Sequence, residues 1–180
     1  AEDHLETVGR PGPGTDIVIL DDDGVELERG QVGEIAGWTP SQMRGYLNQP
    51  EATDNTWWFN GRGRRFVKTG DIGVIDAQGY LRVLDRKKDM IVSGGFNIFP
   101  QDIEEIIRGH PHVHDAAVVG VPHERWGETP LAIVIPRAGI DPTEEELLAW
   151  ANERVAKTQR LHAVVFRTSD YPRNVIGKVL

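Results

Sequence analysis

Leu84-Asp85-Arg86-Lys87-Lys88-Asp89 is the stretch that decides the fold, because the spacing of apolar residues changes character on either side of it. Before it, apolar residues come in short extended runs separated by turn formers. Asp16-Ile17-Val18-Ile19-Leu20 leads into Asp21-Asp22-Asp23-Gly24, whose polar side chains and glycine suit a reversal, and Val25-Glu26-Leu27 returns. Ile72-Gly73-Val74-Ile75 and Tyr80-Leu81-Arg82-Val83-Leu84 flank Asp76-Ala77-Gln78-Gly79 as a second hairpin. Such a pattern builds a β-barrel or β-sandwich, not a helical bundle.

After the charged run the period lengthens. Pro100 opens a helix with Ile103, Ile106 and Ile107 on one face and Gly109 at its end. Asp141-Pro142-Thr143-Glu144 predicts a second helix, with Asp141 as cap and Leu147, Leu148, Ala151 and Val155 as its apolar face. Ala116–Val119, Leu131–Ile135 and Ala163–Phe166 read as three strands, the first two separated by a polar segment containing Pro122 and Gly127. The expectation is an α+β fold: barrel-type β structure over residues 1–86, then a small domain over 87–180 with a short sheet flanked by helices. A hinge or boundary fits the charged run between them.

Composition narrows the function. With 39% hydrophobic and 27% charged residues in 180, the chain is globular, and a net charge of −8 repels a nucleic-acid backbone. The absence of cysteine excludes disulfides, thiolate catalysis and thiolate metal sites. No stretch reads as an integral membrane segment, and the acidic opening Ala1-Glu2-Asp3-His4 is unlike a signal peptide, so a cytoplasmic location is expected.

Four places carry chemistry. Asp71, after Lys68-Thr69-Gly70, offers two oxygens that suit adjacent hydroxyls such as those of a ribose, or simply occupies a surface turn. Arg86 presents a planar fork to a sugar or phosphate, or pairs with Asp89. Ser93-Gly94-Gly95-Phe96-Asn97 permits close approach of a ligand but lacks the spacing of a phosphate or dinucleotide loop, so a plain loop is the default. Pro172-Arg173-Asn174-Val175-Ile176-Gly177-Lys178 presents an ammonium group suited to an anionic reaction centre. His110, His112 and His114 do not read as a metal site, since Pro111 interrupts them and no carboxylate completes the set. Trp57-Trp58-Phe59 suits either a ligand wall or an apolar packing patch.

Taken in order, these motifs resemble the adenylate-forming superfamily of acyl-CoA synthetases, peptide-synthetase adenylation domains and beetle luciferases. Gly33-Glu34-Ile35, Arg44-Gly45-Tyr46-Leu47 and Pro50-Glu51-Ala52-Thr53 look like its late barrel motif, and Lys68-Thr69-Gly70-Asp71 like its ribose motif. Asp85 to Asp89, Gly94 to Ile98 and Asp102-Ile103-Glu104-Glu105 resemble the hinge and the start of the C-terminal domain, and Pro172 to Lys178 the catalytic-lysine signature. The family's earlier phosphate loop is not recognisable.

The resemblance implies ATP-dependent activation of a carboxylic acid to an acyl-adenylate, then transfer to coenzyme A, most closely as in acyl-CoA ligases acting on a fatty or other hydrophobic acid. Lys178 is then catalytic, Asp71, Arg86, Gly94 and Gly95 contact ATP/AMP or coenzyme A, Lys88 is the hinge, and Mg2+ is held elsewhere. Residues 1–86 would end a large domain whose remainder is a missing N-terminal partner, and 87–180 would form its mobile lid. The chain alone is expected to be inactive. Transfer to a carrier-protein thiol and a non-catalytic docking fragment are the alternatives, and a homo-oligomer and a membrane-peripheral location are left open.

Overall fold

A computed structural model describes residues 6–173 and residue 175. They divide between two compact units that part between Lys88 and Asp89.

In the first unit, β1 (Asp16–Leu20) pairs antiparallel with β2 (Val32–Trp38), placing Ile19 opposite Ile35. Asp21 organises the reversal after β1: its Oδ1 accepts from the amides of Asp23 at 3.0 Å and Val25 at 2.8 Å, and Gly24 takes φ +77°. The expected return of Val25-Glu26-Leu27 is a local bridge, not a full strand. A short helix, α1 (Pro50–Thr56), is followed by β3 (Trp57–Phe59), β4 (Arg65–Ile75) and β5 (Leu81–Arg86). One edge of β4 carries β2; the other carries β3 beside residues 65–67 and β5 beside residues 71–75.

This sheet buries apolar residues on both faces. Successive strand residues point oppositely, so Ile19 and Ile35 join Leu81 in one cluster while their neighbours Leu20 and Ala36 join Phe66 in another. Trp58 closes the second cluster edge-on to Phe66, centroids 5.3 Å apart, and its Nε1 donates to Gly24 O at 2.7 Å. Of the Trp57-Trp58-Phe59 run, only Phe59 is largely exposed.

The second unit runs β6 (Ile91–Ser93), β7 (Phe96–Ile98), α2 (Pro100–Arg108), β8 (Val113–His123), β9 (Gly127–Pro136), α3 (Glu144–Asn152) and β10 (Ala163–Phe166). Its sheet therefore has five strands where three were expected. β8 flanks the whole of β9 antiparallel, and on the other edge β10 runs parallel to residues 131–134. Pro122 lies inside β8 and Gly127 inside β9, so the polar segment shrinks to three residues; Pro122 is tolerated near the strand's end, opposite Glu128.

Both helices cover this sheet with most of the faces the periodicity predicts: Ile106, expected on the α2 face, is half-buried and outside the core, and Val155 packs against the core from beyond the end of α3. Ile103 and Ile107 of α2 and Leu147 and Ala151 of α3 enter one core with Val134 and Val164. Each such isoleucine, leucine or valine contributes about 1.5–3 kcal/mol on burial. The cap of α3 differs from expectation: Thr143, not Asp141, occupies the position, its side chain accepting from Glu146 N at 3.1 Å. The fold is α+β, with two largely antiparallel sheets and few helices. Among the described residues no helix is long and apolar enough to cross a membrane.

Candidate functional site

Asp71 owes its position to an irregularity in β4. Along the β2–β4 ladder Ala36 faces Lys68 and Glu34 faces Ile72, so the one residue Ile35 stands opposite three, Thr69, Gly70 and Asp71. Gly70 takes φ +75°, and Thr69 Oγ1 donates to Ile35 O at 3.0 Å while accepting from Asp71 N at 3.1 Å. A bulge of this kind re-aims the side chain that follows it. Asp71 is the register partner of Arg86 on β5, with Arg86 Nε 3.6 Å from its Oδ1. The two side chains are 36% and 48% exposed. An open pair at that distance is worth about 1 kcal/mol or less, so a ligand displaces it at little cost. What results is an accessible carboxylate acceptor beside a guanidinium fork.

The residue after Arg86 is fastened down. Lys87 N donates to Gly70 O at 2.8 Å, and its Nζ lies 3.1 Å from both Glu34 Oε2 and Asp22 Oδ1. Burial disfavours charge on Lys87, but the hydrogen bonds and charges of Glu34 and Asp22 outweigh it and hold the ammonium above the ordinary lysine value. Lys88, exposed, ends the first unit.

In the second unit Gly94 and Gly95 form the tight turn between β6 and β7, with φ +57° and +84°. Two left-handed residues between paired strands are what a two-residue hairpin of the I′ kind demands, so this is a built hairpin where a plain loop was expected. Gly94 N donates to Trp126 O at 2.8 Å, and a Cβ at Gly94 would lie 2.8 Å from the Trp126 ring. Trp126, in the β8–β9 turn, is 43% exposed. The hairpin thus sits backbone-close to an accessible indole.

The tail is described as far as the entrance to the lysine signature. Tyr171 is buried and its hydroxyl donates to Ile133 O at 2.8 Å; burial, reinforced by the charges of Asp115 and Glu104, pushes its pKa up to about 12. Arg173 reaches Asp115 Oδ2 at 3.3 Å and Asp170 Oδ1 at 3.0 Å. Lys178 lies outside the described residues.

A carboxylate does reach the histidines, contrary to the sequence reading, and it comes from α3. Potential ligand atoms of His110, His112 and Glu146 lie within 4.8 Å of one another. Glu146 Oε1 is 3.2 Å from His112 Nδ1 and 3.8 Å from His110 Nε2. However, His110 Nδ1 accepts from His112 N at 3.2 Å, which leaves the neutral ring's proton on the Nε2 that faces Glu146. That nitrogen has no lone pair to give a metal in this arrangement.

Asp71 and Arg86 are thus brought together in the first unit, while Gly94 and Gly95 shape a hairpin in the second. Sequence reasoning missed Glu34 and Asp22 as holders of Lys87, Trp126 as the wall behind Gly94, and Asp115 as a partner of the tail. An aromatic beside the glycine in Arg125-Trp126-Gly127 was the one available signal; long-range ion pairs leave none.

Residues 102–178 match the family described as the AMP-binding enzyme C-terminal domain. The chain belongs to the adenylate-forming superfamily. The chain is 39% identical over 187 residues to the long-chain-fatty-acid–CoA ligase FadD13 of Mycobacterium tuberculosis, a match covering 100% of the chain and 35% of the relative. It is 38% identical over 181 residues to the feruloyl-CoA synthase of an Amycolatopsis species, covering 99% and 35%. Among solved structures, ATP-bound MatB from Rhodopseudomonas palustris matches at TM-score 0.85 and 38% identity, over 97% of this chain and 34% of that one. The chain spans 35% of the length of these two curated relatives.

Proposed function

We propose that this chain forms the nucleotide-contacting and lid portion of an ATP-dependent carboxylic acid–CoA ligase. The observation that carries the reading is the bulge-projected Asp71 paired with Arg86 just before the boundary between the two units. Asp71 accepts hydrogen bonds from the ribose hydroxyls, and Arg86 leaves its weak pair with Asp71 to contact ribose or phosphate. The large domain that residues 1–86 end supplies, outside this chain, the phosphate loop and most of the acid pocket.

In the first half-reaction a carboxylate oxygen of the acid attacks the α-phosphorus of ATP and the bond to pyrophosphate breaks. Lys178 contacts both anions, and its charge counts most as negative charge shifts between them. Rotation about Lys88 then withdraws Lys178 and brings the Gly94-Gly95 hairpin to the pantetheine arm, whose thiol attacks the acyl carbon and releases AMP. Mg2+, when bound, neutralises phosphate charge. The nitrogen-bearing His110–His112–Glu146 group does not fit a cation that prefers an all-oxygen shell, and no described residue is assigned to it.

The acid is fatty or otherwise hydrophobic. Support comes from the name of the FadD13 relative, while the nearly equal identity to a feruloyl-CoA synthase keeps aromatic acids within the class. The test is AMP release by the complete ligase across fatty, aromatic, short-chain and amino acids, with coenzyme A or a phosphopantetheinylated carrier protein as acceptor. Hydrophobic acids with coenzyme A should give acyl-CoA and AMP, and Asp71→Ala should raise the KM for ATP by about tenfold. Preference for amino acids, or transfer to the carrier alone, would overturn the reading.

A further inference from the structure

Asp115, near the start of β8, commits its two carboxylate oxygens to different parts of the second unit. Oδ1 accepts from Arg108 Nε of α2 at 3.1 Å, and Oδ2 lies 3.3 Å from Arg173 Nη2 in the tail. Arg108 is itself held by Glu104 Oε2 at 2.7 Å and by Ala116 O at 3.2 Å, and Glu104 Oε1 accepts from Val118 N at 2.9 Å. Charged side chains thus connect α2, β8 and the tail in one line. Arg173 also binds Asp170, at 3.0 Å and 3.2 Å. That contact joins two tail residues and travels with the tail, whereas the contact with Asp115 crosses to the sheet.

A second fastening lies two residues earlier, where the Tyr171 hydroxyl holds Ile133 O of β9. Tyr171 and Arg173 fix the chain at two points, on β9 and on β8. The remaining span to Lys178 is five residues, so the Arg173 anchor sets the point from which the lysine is delivered. Delivery matters because an ammonium group lowers a phosphoryl-transfer barrier only where the reacting oxygens are held, and a displacement of about 1 Å costs about a hundredfold in rate.

We propose that Asp115 is a positioning residue for the adenylation half-reaction, acting through Arg173 on the placement of Lys178. This rests on the reading of Lys178 as the lysine that acts on acid and nucleotide. In this role Asp115 acts without contact to either substrate.

The test compares Asp115→Asn, Arg173→Gln, Arg173→Lys, the Asp115→Asn/Arg173→Gln double variant and Lys178→Ala in the complete ligase. Asparagine keeps the oxygen that accepts from Ala116 N and Arg108 Nε and places a donating amide NH2 where Oδ2 accepts from Arg173, so the loss falls on the Arg173 contact. Each of Asp115→Asn and Arg173→Gln should cut acid-dependent pyrophosphate exchange by about ten- to a hundredfold. The double variant should be no worse than the worse single, because one shared contact is lost. Thioester formation from supplied acyl-adenylate should stay within about twofold, and Arg173→Lys should recover part of the exchange. Parallel loss of both half-reactions, multiplying effects, or full exchange in the single variants alongside a dead Lys178→Ala would overturn the role of Asp115. Full exchange in Lys178→Ala would instead overturn the underlying reading. If melting of the 180-residue chain shows that Asp115→Asn unfolds it, Arg173→Gln and Arg173→Lys, changed in the tail, carry the comparison.

Discussion

Lys87 Nζ lies 3.1 Å from Glu34 Oε2, a contact between residues 53 apart in sequence that clamps the end of the first unit to the middle of its sheet. Glu34 is only 12% exposed, so water reaches its carboxylate less than that of a surface glutamate, and removing Lys87 leaves it short of a hydrogen-bond donor. Lys87→Met should destabilise the first unit by about 1.5–3 kcal/mol, read by urea unfolding of the chain. The folded pKa of Lys87 is raised, so this contribution is complete below the unfolded value of 10.5 and is lost as pH rises through the folded one. Lys87→Met should therefore erase part of the alkaline loss of stability.

The Asp71–Arg86 pair should behave in the opposite way. Because it is open and 3.6 Å long, Asp71→Asn should change the melting free energy of the chain by about 0.5 kcal/mol or less. Its effect belongs to nucleotide binding by the complete ligase, so a large stability loss would show that Asp71 serves the fold.

His110 should make the second unit sensitive to acid. Burial lowers its pKa from the ordinary value of 6.5, the neighbouring His112 and Arg154 push the same way, and Glu146 opposes them. A depressed histidine means that the unfolded chain binds the proton first, so stability falls as pH drops through 6.5. Thermal melts from about pH 7.5 to about pH 5.5 should show this fall, and His110→Asn should flatten the slope even if it lowers the whole curve.

Alanine at the two turn glycines should separate strain from collision. Gly94→Ala meets both a left-handed φ and the Trp126 ring, whereas a Cβ at Gly95 meets nothing within 4 Å. Gly95→Ala should cost about 1 kcal/mol and Gly94→Ala about 2–3 kcal/mol, with the larger change in tryptophan fluorescence at Gly94. Equal costs would mean that Trp126 yields without resistance.

The 180-residue chain on its own should show no acid-dependent pyrophosphate exchange, although it carries Lys178. Exchange appearing only when the preceding domain is supplied would agree with the proposed division of labour. Robust exchange by the chain, abolished by Lys178→Ala, would defeat it.

Local chemistry made part of this molecule legible in its sequence. The β4–β5 hairpin announces itself because Asp76 Oδ1 accepts from Tyr80 N and Gly79 takes φ +89°, both consequences of residue type. α2 shows equally well through Pro100 and its isoleucine spacing. β6 and β7 do not, being three residues each and joined to the rest of their sheet through a single pairing of Ser93 with Gly127. The bulge at Thr69-Gly70-Asp71 has the composition of a turn, and only the β2 register reveals that the strand continues through it. Glu146 reaches His110 because α3 packs beside α2, a tertiary fact with no sequence periodicity behind it.

The parallel seating of β10 on β9 has a bearing on synthesis. β9 is complete at Pro136, but its neighbour does not exist until Phe166 has been added. At translation speeds of about 5–20 residues per second, the apolar edge from Leu131 to Val134 stands uncovered for seconds on the ribosome. An uncovered strand edge is a template for any other strand. Within a polysome, where nascent copies of one chain lie side by side, that interval is when one copy's β10 can take the place meant for another's.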